Sequence, residues 1–387
     1  MALNYGPVIQ ARFIHRPNRF IVVCDASGLG RVRAFLPNPG RLWELFLPEA
    51  VLYLAPARDP NRRTKYTVLA VERDGCPIFL DTHATNHVAR YLIEQGQVPG
   101  LERAEIVRAE VPMGNSRFDF LLRQDGHLVY TEVKSVTLFG NGVAMFPDAV
   151  TARGRRHLLE LAKLEGAAVV FLVHYPHVQW FMPDFHTDLA FSETFLEVRD
   201  KVRIVPVAVG WRKDLSLRPH VELLGIPWDY LEREVQDRGS YLLVLRLKRA
   251  RRIEVGRLGA CRFEAGYHVY VGSAMRNLSQ RVARHLRKRK KHHWHIDYLR
   301  DVADDVVAVP IRSSLREECE VAQALATILA PGTQGFGCSD CDCATHLFHS
   351  KTFPLSMPAF HEVLQRFRMR RPPDSLPANA CGILEAK

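Results

Sequence analysis

Between Arg117 and Leu138 the chain reads RFDFLLRQDGHLVYTEVKSVTL, and three of its side chains could act together. Asp125-Gly126 is a strong two-residue hairpin signal, because both central positions of that turn take positive φ. With that turn, opposed residues have numbers summing to 251, so Asp119 and Glu132 project from one face as cross-strand neighbours. Lys134, two residues further on, shares that face. Two adjacent carboxylates repel unless a cation sits between them. Mg2+ or Mn2+ accepts such a pair readily, keeping waters and binding a phosphate oxygen. A neighbouring lysine can orient or deprotonate the attacking water, or stabilise phosphorane-like charge. An isolated E-x-K in a strand is more often a solvated ion pair. The register with Asp119, and the apolar residues around all three, favour the metal reading.

A second group of ligand-type residues, Cys338-x2-Cys341-x-Cys343-x2-His346, falls within nine positions and could hold Zn2+ tetrahedrally. The C-x2-C-x-C spacing is irregular for zinc, so a free-thiol loop or a strand-lining polar cluster stands beside that reading. The remaining cysteines, Cys24, Cys76, Cys261, Cys319 and Cys381, are scattered, as in a reduced protein without a disulfide framework.

The elements that must position these groups separate by texture. Residues 1–85 read as short strands joined by turns, among them Asp25–Gly30 and Asp74-Gly75, and suggest a small barrel. Residues 86–228 mix strands and helices: an amphipathic segment near His87–Gln95, the hairpin above, a helix from Ala152 to Glu165, and the strand AAVVFLVHY. That order describes an α/β domain with a mixed sheet. Pro219 and Pro227 interrupt the pattern, so 217–238 is expected to be a linker. A third domain opens with the apolar run SYLLVLRL and covers 239–355, with a helix near Arg316–Leu329. Residues 356–387 are expected to form a C-terminal tail.

The 387 residues carry a net charge of +11. Residues 1–238 hold 29 basic and 28 acidic side chains; residues 239–387 hold 24 and 14. Fifteen basic residues lie between Arg246 and Lys291 against only Glu254 and Glu264. Such a segment attracts polyanions, of which nucleic acid is the commonest. A solvated basic face or an anionic lipid surface would fit charge alone. No window approaches eighteen apolar residues without a charge, so no membrane partner is expected. The N-terminus lacks an export pattern, so the expected location is the cytoplasm.

Asp119 followed by Glu132-Val133-Lys134 resembles the D…(D/E)-x-K core of the restriction-endonuclease-like nucleases. The wider run, SRFDFLL, YTEVKSVTL and FPDAVTARGRRHLLEL, resembles the sugar fermentation stimulation protein (SfsA) family over about residues 1–225. That resemblance implies an N-terminal OB-like barrel, a PD-(D/E)xK domain, DNA binding and metal-dependent phosphodiester cleavage. LPNPGRL is similar to the family's Asn-Thr-Gly-Arg turn, with Pro39 in place of the threonine and Asn38, Gly40 and Arg41 retained. Asp148, Arg153 and His157 sit where the family carries polar residues. Arg153 and His157, four apart on one helix face, could contact phosphate. Arg41 is a nucleic-acid contact or a turn stabiliser.

Gly239-Ser240-Tyr241 and Tyr270-Val271-Gly272, with Asn277-Leu278 and Arg281 following, resemble the GIY-YIG nuclease superfamily over about 239–352. The longer strings GYHVYVGSA, HWHIDYL and GFGCSDCDCATHLF are similar to one of its subgroups. The resemblance implies that Tyr270 is a general base, that Arg281 clamps the scissile phosphate, and that Glu318 binds metal, with Glu317 and Glu320 close enough to compete for that role. Tyr241 and Gly272 are also expected nucleic-acid contacts, Tyr241 hydrogen-bonding within the site and Gly272 letting the backbone approach closely. Arg284 and Lys288, on the basic helix expected over QRVARHLRKRKK, are expected nucleic-acid contacts. His293 and His295 line the cleft or serve structure.

The expectation is a multidomain α/β and α+β protein of prokaryotic type: an OB-like β-barrel, a PD-(D/E)xK domain and a GIY-YIG domain. Its expected activity is metal-dependent nucleic-acid cleavage, on DNA first and RNA second, more as an endonuclease than an exonuclease. A non-catalytic DNA-binding regulator of sugar-utilisation genes is the alternative.

Overall fold

The computed structural model describes residues 3, 5–57, 59, 61–114 and 116–372. The first sheet holds β1 (Ile9–Asn18), β2 (Ile21–Ala26), β3 (Gly30–Phe35), β4 (Val51–Pro56), β5 (Tyr66–Arg73) and β6 (Cys76–Phe79). The order is β3-β2-β1-β4-β5-β6, and β3 also pairs in parallel with β5 through Ala34↔Tyr66 and Phe35↔Thr67. That closing pair turns β1–β5 into a five-stranded barrel and removes the open edges. Asp74 and Gly75 both take positive φ in the turn between β5 and β6, as the Asp-Gly dipeptide requires.

The mixed domain contains α1 (Thr85–Glu94), β7 (Glu105–Met113), β8 (Ser116–Gln124), β9 (His127–Val136), β10 (Leu138–Gly140), β11 (Val143–Phe146), α2 (Ala152–Leu161), β12 (Ala167–Val173), β13 (Trp180–Pro183), α3 (Leu189–Glu197), β14 (Arg203–Trp211) and β15 (Leu217–Leu223). Its main sheet runs β15-β14-β12-β9-β8-β7, with β9, β12 and β14 parallel. Every residue of β12 is buried, as expected of a parallel strand covered on both faces. One face packs on α1 through Val88, Leu92, Phe120, Val129 and Val133. The alternation of β9 therefore sends Glu132 and Lys134 to the opposite face.

The segment expected as a linker is ordered. Leu217–Leu223 adds to β14 as an edge strand, the one sheet position where Pro219 costs no ladder bond, and Pro227 immediately precedes α4 (Trp228–Glu234). The helix expected to reach Glu165 ends at Leu161; the chain then turns at Gly166, where an added Cβ would lie 2.5 Å from the Leu128 carbonyl oxygen.

Two compact units result. One comprises Phe185–Leu189 with Tyr230–Arg370; the other holds the barrel and the mixed domain. The smaller unit is built on β16 (Gly239–Leu247), β17 (Arg251–Glu254), β18 (Ala260–Phe263), β19 (Gly266–Ala274), β20 (Asp305–Arg312), β21 (Ala330–Pro331) and β22 (Leu347–Ser350). Four helices accompany them: α5 (Leu278–Leu286), α6 (His295–Val302), α7 (Glu318–Ala326) and α8 (Pro358–Arg368). Its sheet runs β20-β16-β19-β22-β21, so the apolar run at 239–247 is the buried strand between two antiparallel partners. The tail expected from residue 356 begins too early. Pro358–Arg368 forms α8, whose Phe360, Leu364 and Phe367 are buried, because their spacing makes one apolar helical face. Residues 373–387 of that tail lie outside the described residues. No helix among the described residues is long and apolar enough to cross a membrane.

Candidate active sites

The hairpin at Asp125-Gly126 has the register that its turn dictates. Phe120↔Thr131, Leu121↔Tyr130 and Gln124↔His127 all sum to 251, and both turn residues have positive φ. The ladder stops one pair before Asp119 and Glu132. There the Asp119 carboxylate accepts the Val133 N–H at Oδ2 (2.7 Å) and the Asn86 side-chain amide at Oδ1 (2.7 Å). Asn86, from the first turn of α1, carries no signal in the sequence, because only the tertiary fold brings α1 to β8.

Glu132 is buried, and its Oε1 takes the Lys134 ammonium (2.5 Å) and His157 Nδ1 (2.7 Å). Glu132 Oε2 is also buried and has no hydrogen-bond partner among the described residues. Burial raises the Glu132 carboxyl, but the bonds from His157 and Lys134 outweigh it and hold the group below its ordinary value. Asp119 moves the other way: burial, then the Glu132 charge, push it up to about 6. Two neighbouring carboxylates are thus driven apart, the usual mark of a site that divides acid from base or awaits a cation.

His157 departs from its expected role. It is buried, turned inward onto Glu132, and does not present itself to phosphate. Arg153, exposed on the same helix, donates from Nε to His157 Nε2 (3.3 Å), which places the imidazole proton on Nδ1, facing Glu132. Arg41 lies in the Asn38–Arg41 turn, where Asn38 Oδ1 accepts the Gly40 N–H (2.9 Å) and the Arg41 carbonyl accepts Arg16 Nη1 (2.7 Å). The turn closes on Asp148, which takes backbone bonds from Leu42 and Arg41 and stands where a Gly40 Cβ would be. Gly40 is therefore required for close approach. The Arg41 guanidinium sits over the Trp43 ring and near Asp148, which supports the turn-stabilising alternative.

In the smaller unit, Tyr241↔Gly272 and Leu243↔Tyr270 pair across β16 and β19, so both tripeptides meet on adjacent strands. A Cβ on Gly272 would lie 2.5 Å from the Tyr241 ring; the glycine makes room for tyrosine rather than for a ligand. Tyr241 is buried, its hydroxyl 3.0 Å from His285 Nε2, and His285 Nδ1 lies 3.4 Å from Asp297 Oδ1. As an interior hydrogen-bonding residue it meets one expectation; as a nucleic-acid contact it does not. Tyr270 is buried against Phe336, and burial together with Tyr241 and Glu318 pushes its hydroxyl well above its usual value, with Arg281 opposing. Arg281 is half-buried over the Trp294 ring.

Arg284 also departs from its expected role. Its guanidinium is paired bidentately with the fully buried Asp297 at 3.0 Å on both arms, and Lys290 approaches the same carboxylate at 3.3 Å. The helix expected to run through Lys291 stops at Leu286, so Lys288 stands exposed in the following loop. His293 is exposed, whereas His295 Nδ1 accepts the Gly337 N–H (3.1 Å), a structural contact.

The three glutamates around α7 separate by partner. Glu317 is buried and ion-paired with Arg370, and Glu320 is exposed. Glu318 accepts from Ser273 Oγ at Oε2 and meets His346 Nδ1 at Oε1 (3.2 Å), so it alone faces β19 and the tyrosine pair. Ser273 and His346 are partners of Glu318 that no sequence spacing announces.

The cysteine cluster has a different membership from that expected. Cys319, Cys341, Cys343 and His346 bring their ligand atoms within 4.8 Å of one another. Cys338 is outside the group and donates its thiol to the Phe336 carbonyl (3.4 Å). Loop spacing favoured Cys338, whereas the fold delivers Cys319 from the first turn of α7.

A closed β-barrel, a mixed sheet with paired carboxylates and a separate sheet with paired tyrosines define a three-module architecture of OB, restriction-endonuclease-like and GIY-YIG-like parts. Three family models match in the same order: "SfsA N-terminal OB domain" over 14–80, "Sugar fermentation stimulation protein RE domain" over 83–214, and "Domain of unknown function DUF123" over 240–369. The chain belongs to the sugar fermentation stimulation protein family. The homolog from Moorella thermoacetica is 44% identical over 196 residues, covering 49% of this chain and 84% of the relative. The homolog from Clostridium beijerinckii is 33% identical over 228 residues, covering 57% of this chain and all of the relative. Among solved structures, Pyrococcus furiosus SfsA in complex with Ca2+ is similar at 29% identity and TM-score 0.53, covering 58% of this chain and 97% of that one. These relatives account for the barrel and mixed domain; the DUF123 region is additional to them.

Proposed function

We propose that the protein is a metal-dependent phosphodiesterase of nucleic acid, DNA first and RNA second, with one site in each unit. The observation that carries this reading is the Asp119–Glu132 pair: a buried carboxylate oxygen without a donor, beside a carboxyl that burial and its neighbour push up to about 6. A divalent cation would satisfy both, and the donor set is the all-oxygen kind that Mg2+ or Mn2+ prefers. Pyrococcus furiosus SfsA was solved in complex with Ca2+, a cation of the same ligand chemistry. Bound at the pair, the ion would supply a polarised phosphate oxygen and a water of lowered pKa. Asp119 and Glu132 would hold it, and Lys134 would orient or deprotonate the attacking water from the same face. His157 keeps Glu132 ionised and turned toward Lys134.

In the smaller unit, Glu318 would hold the metal and Arg281 would offset charge on the scissile phosphate. Tyr270 would serve as base only once cationic neighbours overcome its burial. The concentration of basic residues from Arg246 to Lys291 around this site supports a polyanionic substrate.

The test is wild-type protein with plasmid DNA and with RNA, in Mg2+ or Mn2+, beside Glu132→Ala, Tyr270→Phe and the double variant. We expect wild type to cleave, each single variant to lose about 10²–10³-fold of its own site's rate, and the double variant to be inactive. Wild type that retards DNA in a gel and cuts nothing would replace the enzyme by a DNA-binding regulator.

A further inference from the structure

We infer that Cys319, Cys341, Cys343 and His346 form a zinc site whose histidine ligand also holds Glu318 in place. The first half stands on the ligand atoms alone; the second rests on Glu318 being the metal-binding residue proposed above.

The four atoms already have the spacing that a tetrahedral ion needs. Zinc bonds of about 2.3 Å to sulfur and 2.0–2.1 Å to nitrogen separate sulfur from nitrogen by about 3.6 Å, and sulfur from sulfur by about 3.8 Å. Cys341 Sγ lies 3.5 Å from His346 Nε2, Cys319 Sγ lies 4.0 Å from it, and all four atoms fall within 4.8 Å of one another. Three thiols and one imidazole are a soft donor set that favours Zn2+ over Mg2+ or Ca2+. All the cysteines among the described residues are free, so no disulfide competes for these sulfurs. Zn2+ would displace the three thiol protons, leave the imidazole neutral and close the fourth position, the pattern of a structural rather than a catalytic site.

The site joins two parts of the smaller unit. Cys319 belongs to the first turn of α7, while Cys341, Cys343 and His346 belong to the loop entering β22. His346 is buried with Nε2 toward the thiols and Nδ1 at 3.2 Å from Glu318 Oε1. Metal on Nε2 places the imidazole proton on Nδ1, so the ring donates to Glu318. Ser273 Oγ donates to the other carboxylate oxygen. Glu318 is then held from two sides, and His346 is a positioning residue for it.

The experiment uses the full chain carrying Glu132→Ala, so that the first carboxylate pair takes no metal, purified with a phosphine reductant and dialysed against a weak chelator. We expect one zinc per chain by mass spectrometry, loss of that zinc in Cys319→Ser, and its retention in Cys338→Ser. Co2+ loaded in its place should show the visible absorption of a tetrahedral thiolate site, a readout that survives if Cys319→Ser fails to fold. Absence of zinc from the reduced chain, equal loss in Cys338→Ser, or an octahedral Co2+ spectrum would overturn the site. For the link to Glu318, Mn2+ binding is followed by electron paramagnetic resonance before and after zinc removal. Affinity should fall several-fold on removal, as in His346→Ala. Unchanged Mn2+ binding would overturn the positioning role, and Mn2+ binding insensitive to Glu318→Gln would instead overturn the assignment of Glu318.

Discussion

The two candidate sites treat buried charge in opposite ways. At the hairpin, the charged groups outnumber their partners. Glu132 shares one oxygen with Lys134 and His157 and leaves the other without a donor, and Asp119 sits beside it with a raised pKa. In the smaller unit the most deeply buried of the described carboxylates, Asp297, is fully engaged by Arg284, Lys290, His285 and two backbone N–H groups, and its pKa is driven down despite burial. A local surplus of negative charge marks where a cation belongs, whereas an internally neutralised network is a scaffold. The difference also explains why Arg284, which reads as a phosphate ligand in sequence, is occupied within the fold.

Three measurements can break or sharpen that contrast. The largest effect should come from Asp297→Ala, which strands Arg284 and Lys290 beside a lost partner. A cost of about 3–5 kcal/mol is expected, seen as a drop in melting temperature on the order of 10 °C. A neutral outcome would mean that the network is not the scaffold.

The next effect concerns Asp119, whose carboxyl is at about 6 in the folded chain against an ordinary 3.8. A raised folded pKa contributes stability that is complete below about pH 4 and is lost as pH rises through about 6. The metal-free protein should therefore lose about 2 kcal/mol over that interval, and Asp119→Asn should remove the loss. Divalent-ion affinity should climb over the same window as the proton leaves, which a pH series of calorimetric titrations would show. Glu132, held low, should contribute the opposite slope, its stabilisation fading as pH falls below its folded value.

The smallest effect is assigned to Lys288, exposed beyond α5. Lys288→Ala should weaken nucleic-acid binding only a few-fold and reduce the salt-dependence slope by about 0.9, read from binding isotherms at several salt concentrations. The same change at Arg284 should act through stability instead.

Much of the carboxylate hairpin was legible from local chemistry. Asp125-Gly126 sets its own turn, the turn sets the register, and strand alternation puts Asp119, Glu132 and Lys134 on one face. The paired tyrosines were legible only through the resemblance of Gly239-Ser240-Tyr241 and Tyr270-Val271-Gly272 to the GIY-YIG superfamily; the apolar run at 239–247 announced a strand but not its partner. What failed were inferences from helix faces and loop spacing. Arg153 and His157 do share a face, but position on a helix does not say which side the sheet covers. The covered side took His157. Pro219 and Pro227 read as breaks, yet an edge strand and a helix start both accommodate proline.

By itself the sequence determined the three-module order, the hairpin and its register, and the concentration of basic charge, because turn chemistry, side-chain period and composition are properties of neighbouring residues. Only the tertiary structure decided which groups found partners: Asn86 on Asp119, His157 on Glu132, Asp297 beneath Arg284, Arg370 on Glu317, and Cys319 rather than Cys338 beside His346. Each of those contacts joins residues from separate elements of the chain, and no local rule reaches from one element to another. They are set by which faces the packed sheets and helices turn toward one another.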